Sequence, residues 1–261
     1  MKDYRESHKE ERIARQYEEV VYRKNSYDDM LWKWEQGVLG CEVKNFKKQK
    51  SAISLLDFAT GTGRILAFLE DKVETALGVD NAEVMLVHAR SRVKKAELLC
   101  VDITNLEAEL PLGSSASKWQ DVLAGKQFDL ITAFRFFLNA QPELRNAALR
   151  ILIPKLRNEH SLFIFNIHGN LWSHRLFSKV WYAMRGRRLN TMTVSEVRRL
   201  AKRHGLEIVR WYGFGVKPKF LYRLFGAQFM FAVDSLLSKI PGMKYISYDL
   251  IFVCRKKNKN P

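Results

Sequence analysis

Apolar residues along this chain recur at two spacings, and the switches between them mark out its elements. Residues 10–21 and 27–43 carry apolar and aromatic side chains at helical intervals (Ile13, Tyr17, Val20, Val21; Met30, Leu31, Trp34), with the turn-forming Lys24-Asn25-Ser26 between them. That pattern predicts two N-terminal helices. A basic, polar stretch at 44–51 gives way to Ile53-Ser54-Leu55-Leu56-Asp57-Phe58, a run of the kind a buried strand carries. From there strand-like runs at 75–79, 96–101, 128–134 and 161–166 alternate with helical patterns, clearest at 82–93 and 142–157. Such alternation predicts βαβ units around a mostly parallel sheet, since each amphipathic helix needs a sheet face for its apolar stripe. Two late runs, 206–212 and 248–254, follow a helical pattern at 194–204 without the short βαβ rhythm and are expected as an antiparallel pair. Residues 107–126, with Pro111, Gly113 and Ser114-Ser115, read as a loop with one helical turn.

Composition narrows the class. A chain of 261 residues suits one α/β domain with additions, and 47% hydrophobic with 28% charged residues excludes a disordered chain. Cys41, Cys100 and Cys254 are far apart and form no C-x-x-C pair, so neither a disulfide framework nor a metal site is expected. The charged N-terminus lacks the apolar core of a signal peptide, and no stretch reaches membrane-span length. A cytoplasmic protein is expected.

Charge changes the picture further. The net +16 is not spread evenly: residues 1–150 hold 23 basic and 23 acidic side chains, residues 151–261 hold 21 and 5. A neutral front and a basic back predict separate tasks for the two parts.

The candidate chemistry lies in the front. Leu55 to Ile65, reading L-L-D-F-A-T-G-T-G-R-I, puts a buried strand, an acid, a small-residue turn with two glycines and a helix start in that order. A nucleotide-like ligand needs this arrangement, because glycines let the backbone approach it and a helix N-terminus offers unpaired N–H groups. Here the sequence resembles the class I, Rossmann-like S-adenosylmethionine-dependent methyltransferase family, with Asp57, Ala59, Gly61 and Gly63 in register with that family's first motif. A dinucleotide fingerprint would ask for Gly or Ala where Leu66 stands.

Later segments extend the resemblance. Asp80, ending the run Ala76 to Val79, is placed to accept both ribose hydroxyls, or to cap the following helix together with Asn81. Asp102 and Ile103 match the family's adenine-side positions, with a turn-forming role also open for Asp102. Phe128 to Phe134 matches its fourth strand, whose exit, Arg135-Phe136-Phe137-Leu138-Asn139, should border cofactor and acceptor. By this resemblance the fold is a seven-stranded, mostly parallel sheet with helices on both faces, N-terminal helices and a C-terminal helical insert. The cofactor is S-adenosyl-L-methionine, held by Asp57, Ala59, Thr60, Gly61, Gly63, Asp80, Asn81, Asp102, Ile103 and Phe134.

Residues 1–50 read as a helical cap and 51–261 as the methyltransferase domain, with a basic, aromatic insert at about 169–245. Arg135 and Asn139 are candidate substrate-binding residues, each with a structural alternative in a salt bridge or helix cap. His168, just past the fifth strand, is the candidate general base should the acceptor be a hydroxyl, with a loop hydrogen bond as its other role. Tyr17, Tyr22, Tyr27 and Trp34 could close a lid, although aromatics at helical spacing commonly form core. In the insert, Arg185-Gly186-Arg187-Arg188 and Arg198 to Arg203 could meet phosphate, and the apolar run Phe220 to Val233 is too short to span a membrane but long enough to lie at its interface. The acceptor is therefore expected to be small or lipid-linked and phosphate-bearing, with peripheral contact to an anionic membrane. Nucleic acid ranks below it because the aromatics cluster in an apolar run. An RNA methyltransferase and a non-catalytic binding protein on the same fold are the alternatives.

Overall fold

The computed structural model describes Tyr4 and residues 23–104, 123, 125–187 and 189–257. The helix expected at 10–21 and most of the loop at 107–126 lie outside the described residues, as do Tyr17, Tyr22 and Arg188. Seven strands form one sheet: β1 (Ser54–Phe58), β2 (Thr75–Asp80), β3 (Glu97–Cys100), β4 (Leu130–Ala133), β5 (Leu162–His168), β6 (Leu206–Phe214) and β7 (Asp249–Lys256). Their order is β3-β2-β1-β4-β5-β7-β6. The first five pair in parallel, and β7 runs antiparallel between β5 and β6. The expected antiparallel pair is present.

Period-two alternation in the strands separates two apolar layers. Leu56, Phe58, Ile131, Phe163 and Phe165 face a core closed by α4 (Pro142–Leu152) and α6 (Val194–Arg203). Leu55, Leu130, Leu162 and Ile164 face the other core, closed by α1 (Tyr27–Lys47) and α2 (Arg64–Leu69). Helix α3 (Glu83–Arg92) connects β2 to β3. Ser26 starts α1 by accepting from the Asp29 amide, and Thr193 starts α6 through a reciprocal pair with Glu196.

Several boundaries differ from the sequence pattern. The helix expected to reach residue 157 stops at Leu152 and tightens into a 3-10 turn at Ile153–Lys155, where Pro154 supplies no N–H to continue the ladder. The run at 128–134 shortens to Leu130–Ala133, with Phe128 making one isolated bridge to Leu156. Asp129 is not at the cleft. At the opposite sheet edge its carboxylate takes Lys50 at 2.7 Å and the Ser54 amide at 3.0 Å.

Helix α1 is tied to the sheet by buried acids. Glu42 is fully buried and takes both Arg210 nitrogens (2.9 and 2.6 Å) and the Tyr212 hydroxyl. Glu35, also fully buried, takes Arg135 at 3.0 Å and Asn166 at 3.2 Å.

After β5 the chain builds three further helices at the C-terminal edge of the parallel strands: α5 (Arg175–Met184), α7 (Lys219–Leu224) and α8 (Ala227–Leu237). The apolar run 220–233 is thus two helices broken at Gly226, whose φ of 85° suits a residue without a side chain. Their inner side chains, Tyr222, Ala227 and Met230, pack with Tyr27, Met30 and Leu31 of α1. Trp34 stacks on Phe214 at 5.3 Å. Tyr27 is therefore a core residue, and Trp34 packs partly buried against that core.

Candidate functional site

The C-terminal ends of β1, β2 and β4 and the segment after β3 surround a cleft of about 940 Å³, including space open to solvent. Asp57, Ala59, Thr60, Gly61, Asp80, Asn81, Asp102, Ile103, Phe134 and Arg135 all line it. Gly63, Asn139 and His168 are not among its lining residues. Volume and lining suit a nucleoside-sized ligand.

The glycine turn is held by two acids with different tasks. Asp57 is buried at the end of β1, its oxygens taken by the Thr132 and Thr60 hydroxyls, each at 2.6 Å. Burial raises its pKa to about 6 against the pull of these hydroxyls. Asp80, across from it on β2, accepts the Gly61 amide at 2.8 Å and the Ala82 amide at 2.9 Å. Burial raises its pKa too, opposed by those backbone bonds. A carboxylate offers about four lone-pair sites and the Gly61, Ala82 and Asn81 amides draw on three, so capacity for a diol hydroxyl remains beside the turn-holding role.

Ala59 and Gly61 both sit at φ 56° and Gly63 at 77°, so the backbone turns sharply into α2. Gly63 acts behind the cleft. A Cβ there would lie 3.0 Å from Ala89 and 3.1 Å from Val93, so its absence lets α2 and α3 close together. Asp102 takes the Thr104 amide at 2.9 Å, the turn-forming role, and still lines the cleft beside the buried Ile103.

Arg135 leaves β4 in the left-handed region at φ 60°, a conformation uncommon for a residue with a side chain. Four bonds hold it there: its amide to Asn166 (2.5 Å), its guanidinium to Glu35, and its carbonyl to the Asn139 side chain (2.7 Å) and the Tyr4 hydroxyl (3.2 Å). Asn139 thus braces the backbone of Arg135. Tyr4, whose ring meets Phe136 edge-on at 5.9 Å, lines the cleft although the sequence pattern gave no reason to select it. Arg64 of the glycine segment and Phe136 of the β4 exit also line it, as does Met85, which no motif marks.

His168 ends β5. Burial first, then the charges of Arg135, Lys219 and Arg175, lower its pKa to about 3, so it is neutral at ordinary pH and a weak proton acceptor. Of the basic clusters, Arg198, Arg199, Lys202 and Arg203 lie on the exposed face of α6, whereas Arg185 stacks over Trp181 at 4.1 Å.

Residues 31–210 match the family model described as a methyltransferase domain. Among solved structures, magnesium protoporphyrin IX methyltransferase from Synechocystis, with bound SAH, matches with TM-score 0.59 and 12% identity, over 95% of this chain and 99% of that chain. An S-adenosylmethionine-dependent methyltransferase from Clostridium acetobutylicum matches with TM-score 0.55 and 15% identity, over 95% and 98%. The N-methyltransferase NodS from Bradyrhizobium japonicum, in complex with S-adenosylhomocysteine, matches with TM-score 0.55 and 10% identity, over 95% and 96%. At such identities the likeness is one of fold. No curated protein matches the chain.

Proposed function

The chain belongs to the methyltransferase-domain family, an S-adenosylmethionine-dependent group, and from that premise we propose that it methylates a small or lipid-linked, phosphate-bearing acceptor at an anionic membrane surface. One observation carries the proposal. Of sixteen large hydrophobic side chains exposed among the described residues, fifteen lie between Trp172 and Ile246. They include Phe177 (78% exposed), Met184 (70%) and Leu224 (68%) on α5 and α7. Lys179, Arg185, Arg187, Arg223 and Lys239 are exposed among them. From 171 to 192 there is no acid, and from 215 to 248 the single acid, Asp234, is fully buried.

An apolar surface of this extent exceeds what solvent-facing helices ordinarily carry, and cations without acids select an anionic partner surface. No helix among the described residues is long and apolar enough to cross a membrane, so the reading is of a cytoplasmic protein in peripheral contact. The insert and the cleft share the C-terminal edge of the parallel strands, which would bring cofactor and membrane together.

Within this reading the turn Ala59 to Gly63 receives the methionine end of the cofactor, Asp80 and Asn81 the ribose, and Asp102 with Ile103 the adenine, while Asp57 and Phe134 shape the cleft. Bound S-adenosylmethionine supplies an activated methyl group on a sulfonium. The chain's own contribution is to position the acceptor in line and exclude water. Arg135 is held firmly enough to orient it.

Flotation with vesicles tests the proposal. Vesicles containing phosphatidylglycerol should recruit the protein and pure phosphatidylcholine should not, with each basic side chain near the surface contributing about 1 kcal/mol. Replacing Arg185, Arg187 and Arg188 with Gln, or Phe177 and Trp181 with Ser, should reduce recruitment and leave cofactor affinity unchanged. Equal binding to both vesicles, or binding to neither alongside salt-sensitive RNA binding, would refute it and favour an RNA acceptor.

A further inference from the structure

Among the described residues, four buried side-chain atoms that lack a hydrogen-bond partner belong to neighbouring residues, with His168 paired to Asp249 across β5 and β7 and His174 and Arg175 both against Tyr248: His168 Nδ1, His174 Nδ1, Arg175 Nε and Asp249 Oδ1. They come from the end of β5, the start of α5 and the start of β7. Tyr248 joins them. The His174 ring stacks on it at 4.7 Å, Arg175 donates to its hydroxyl at 2.7 Å, and Lys219 Nζ lies 5.4 Å from its ring centre. Asp249 accepts the Tyr27 hydroxyl on Oδ2 alone. Gly215 makes room for that hydroxyl, since a Cβ there would lie 2.0 Å from it.

An unsatisfied buried polar atom costs about 1–3 kcal/mol, and native chains keep few of them without a use. Four in one cluster define a recognition shell. Charge indicates what fills it. Lys219 is paired with Asp28 at 3.0 Å and Arg135 with Glu35, but among the described residues Arg175 has no acid partner and donates only to Tyr248 and the Asn190 carbonyl. Its free Nε–H is a donor without an alternative role. Burial and the neighbouring cations lower the pKa of His174 to about 4 and of His168 to about 3, so both imidazoles are neutral and can donate or accept at Nδ1. Asp249 Oδ1 is the complementary acceptor once the carboxyl, which burial raises to about 7, has ionised. Donors arriving from β5 and α5 surround a tetrahedral oxyanion better than a planar carboxylate, which takes a fork from one side.

We propose that this cluster receives the polar head of the methyl acceptor: a phosphate ester whose anionic oxygen lies on Arg175 Nε and whose neighbouring hydroxyl or amine meets Asp249 Oδ1. His168 and His174 complete the shell, and His168 is a binding residue and not a general base. Arg135 lines the cofactor cleft and also faces His168, so a head group held here adjoins the methyl donor. The inference rests on the methyltransferase reading and stands independently of membrane recruitment.

The experiment uses full-length protein saturated with S-adenosylhomocysteine and modified by diethylpyrocarbonate. Labelling of His168 and His174 is read by peptide mass spectrometry against exposed His160, which lies just before β5 at the opposite edge. Glycerol 3-phosphate, or vesicles of phosphatidic acid in phosphatidylcholine, should slow labelling of both histidines several-fold and leave His160 unchanged; glycerol should do nothing. Protection by the soluble ester indicates a soluble acceptor, and protection by vesicles alone indicates a lipid head group. Arg175→Gln should abolish protection while cofactor affinity is retained, which also shows that the variant is folded. Protection that survives Arg175→Gln, or none in either phosphate arm, overturns the proposal. Vesicle recruitment without protection would leave the membrane reading intact and remove this one. Failure to bind S-adenosylhomocysteine would instead remove the premise.

Discussion

Replacing Asp80 separates its two tasks. In Asp80→Asn one acceptor oxygen and the side-chain volume remain, but the charge is gone; in Asp80→Ala both acceptors are lost. A hydrogen bond to a charged group is worth about 1.5–3 kcal/mol, so the Asn variant should bind S-adenosylhomocysteine roughly ten- to a hundredfold more weakly. It should lose some folding stability, about 1–3 kcal/mol, because its single amide oxygen can serve the Gly61 or the Ala82 amide but not both. The Ala variant should lose at least as much affinity. It should also lose folding stability, about 1–3 kcal/mol for each of the Gly61 and Ala82 amides that stays buried without an acceptor. Calorimetric titration gives the first quantity and urea denaturation the second. Wild-type affinity in the Asn variant, together with an unstable Ala variant, would assign Asp80 wholly to the turn and refute the diol argument.

Three further outcomes follow from the packing and the buried charges. Arg210→Ala leaves Glu42 fully buried without its cation and should cost roughly 3–5 kcal/mol in denaturant unfolding. Gly63→Ala should destabilise by at least about 1–2 kcal/mol, since it forces a side chain into the left-handed region at φ 77° and against Ala89, and a thermal melt would register it. Asp249 gives a pH signature. Its folded carboxyl keeps its proton up to about 7, against 3.8 for an ordinary aspartate, so its stabilising contribution is complete below 3.8 and gone once pH passes 7. Stability measured against pH should therefore show Asp249→Asn gaining on wild type by roughly 2–3 kcal/mol between about pH 5 and about pH 8, and a constant difference would contradict the assigned cause.

The sheet was legible because each strand carries its own alternation and each glycine turn its own signature; Asp57 to Gly63 and Asp80 are local patterns. What the sequence could not display were partnerships across long separations. Glu35 meets Arg135 and Asn166 a hundred or more positions away, and nothing in the helical pattern of α1 marks an acid at that position as buried. Tyr4 stands alone in a charged stretch, and its neighbours at the cleft are set by tertiary packing. Asn139 and His168 were selected for lying near strand ends. The backbone conformation at Arg135 uses the first as a brace, and burial, aided by the cations around it, lowers the pKa of the second. In the insert, the apolar run 220–233 was readable, but whether its side chains face core or solvent depends on which surfaces the sheet leaves uncovered.

Helix α1 holds acids at 28, 35 and 42, seven positions apart, and they reach Lys219 on α7, Arg135 at the exit of β4 and Arg210 on β6. Seven residues are close to two helical turns, so the three acids share one stripe. The helix therefore works as a keyed shaft. A single residue inserted between Glu35 and Glu42 would swing the distal key by about 100° and unlock β6 while the other two stay engaged, whereas a seven-residue insertion would restore the angle but displace the key along the axis. Length variation among relatives should on this account be confined to segments outside residues 28–42, leaving the shaft itself constant in length.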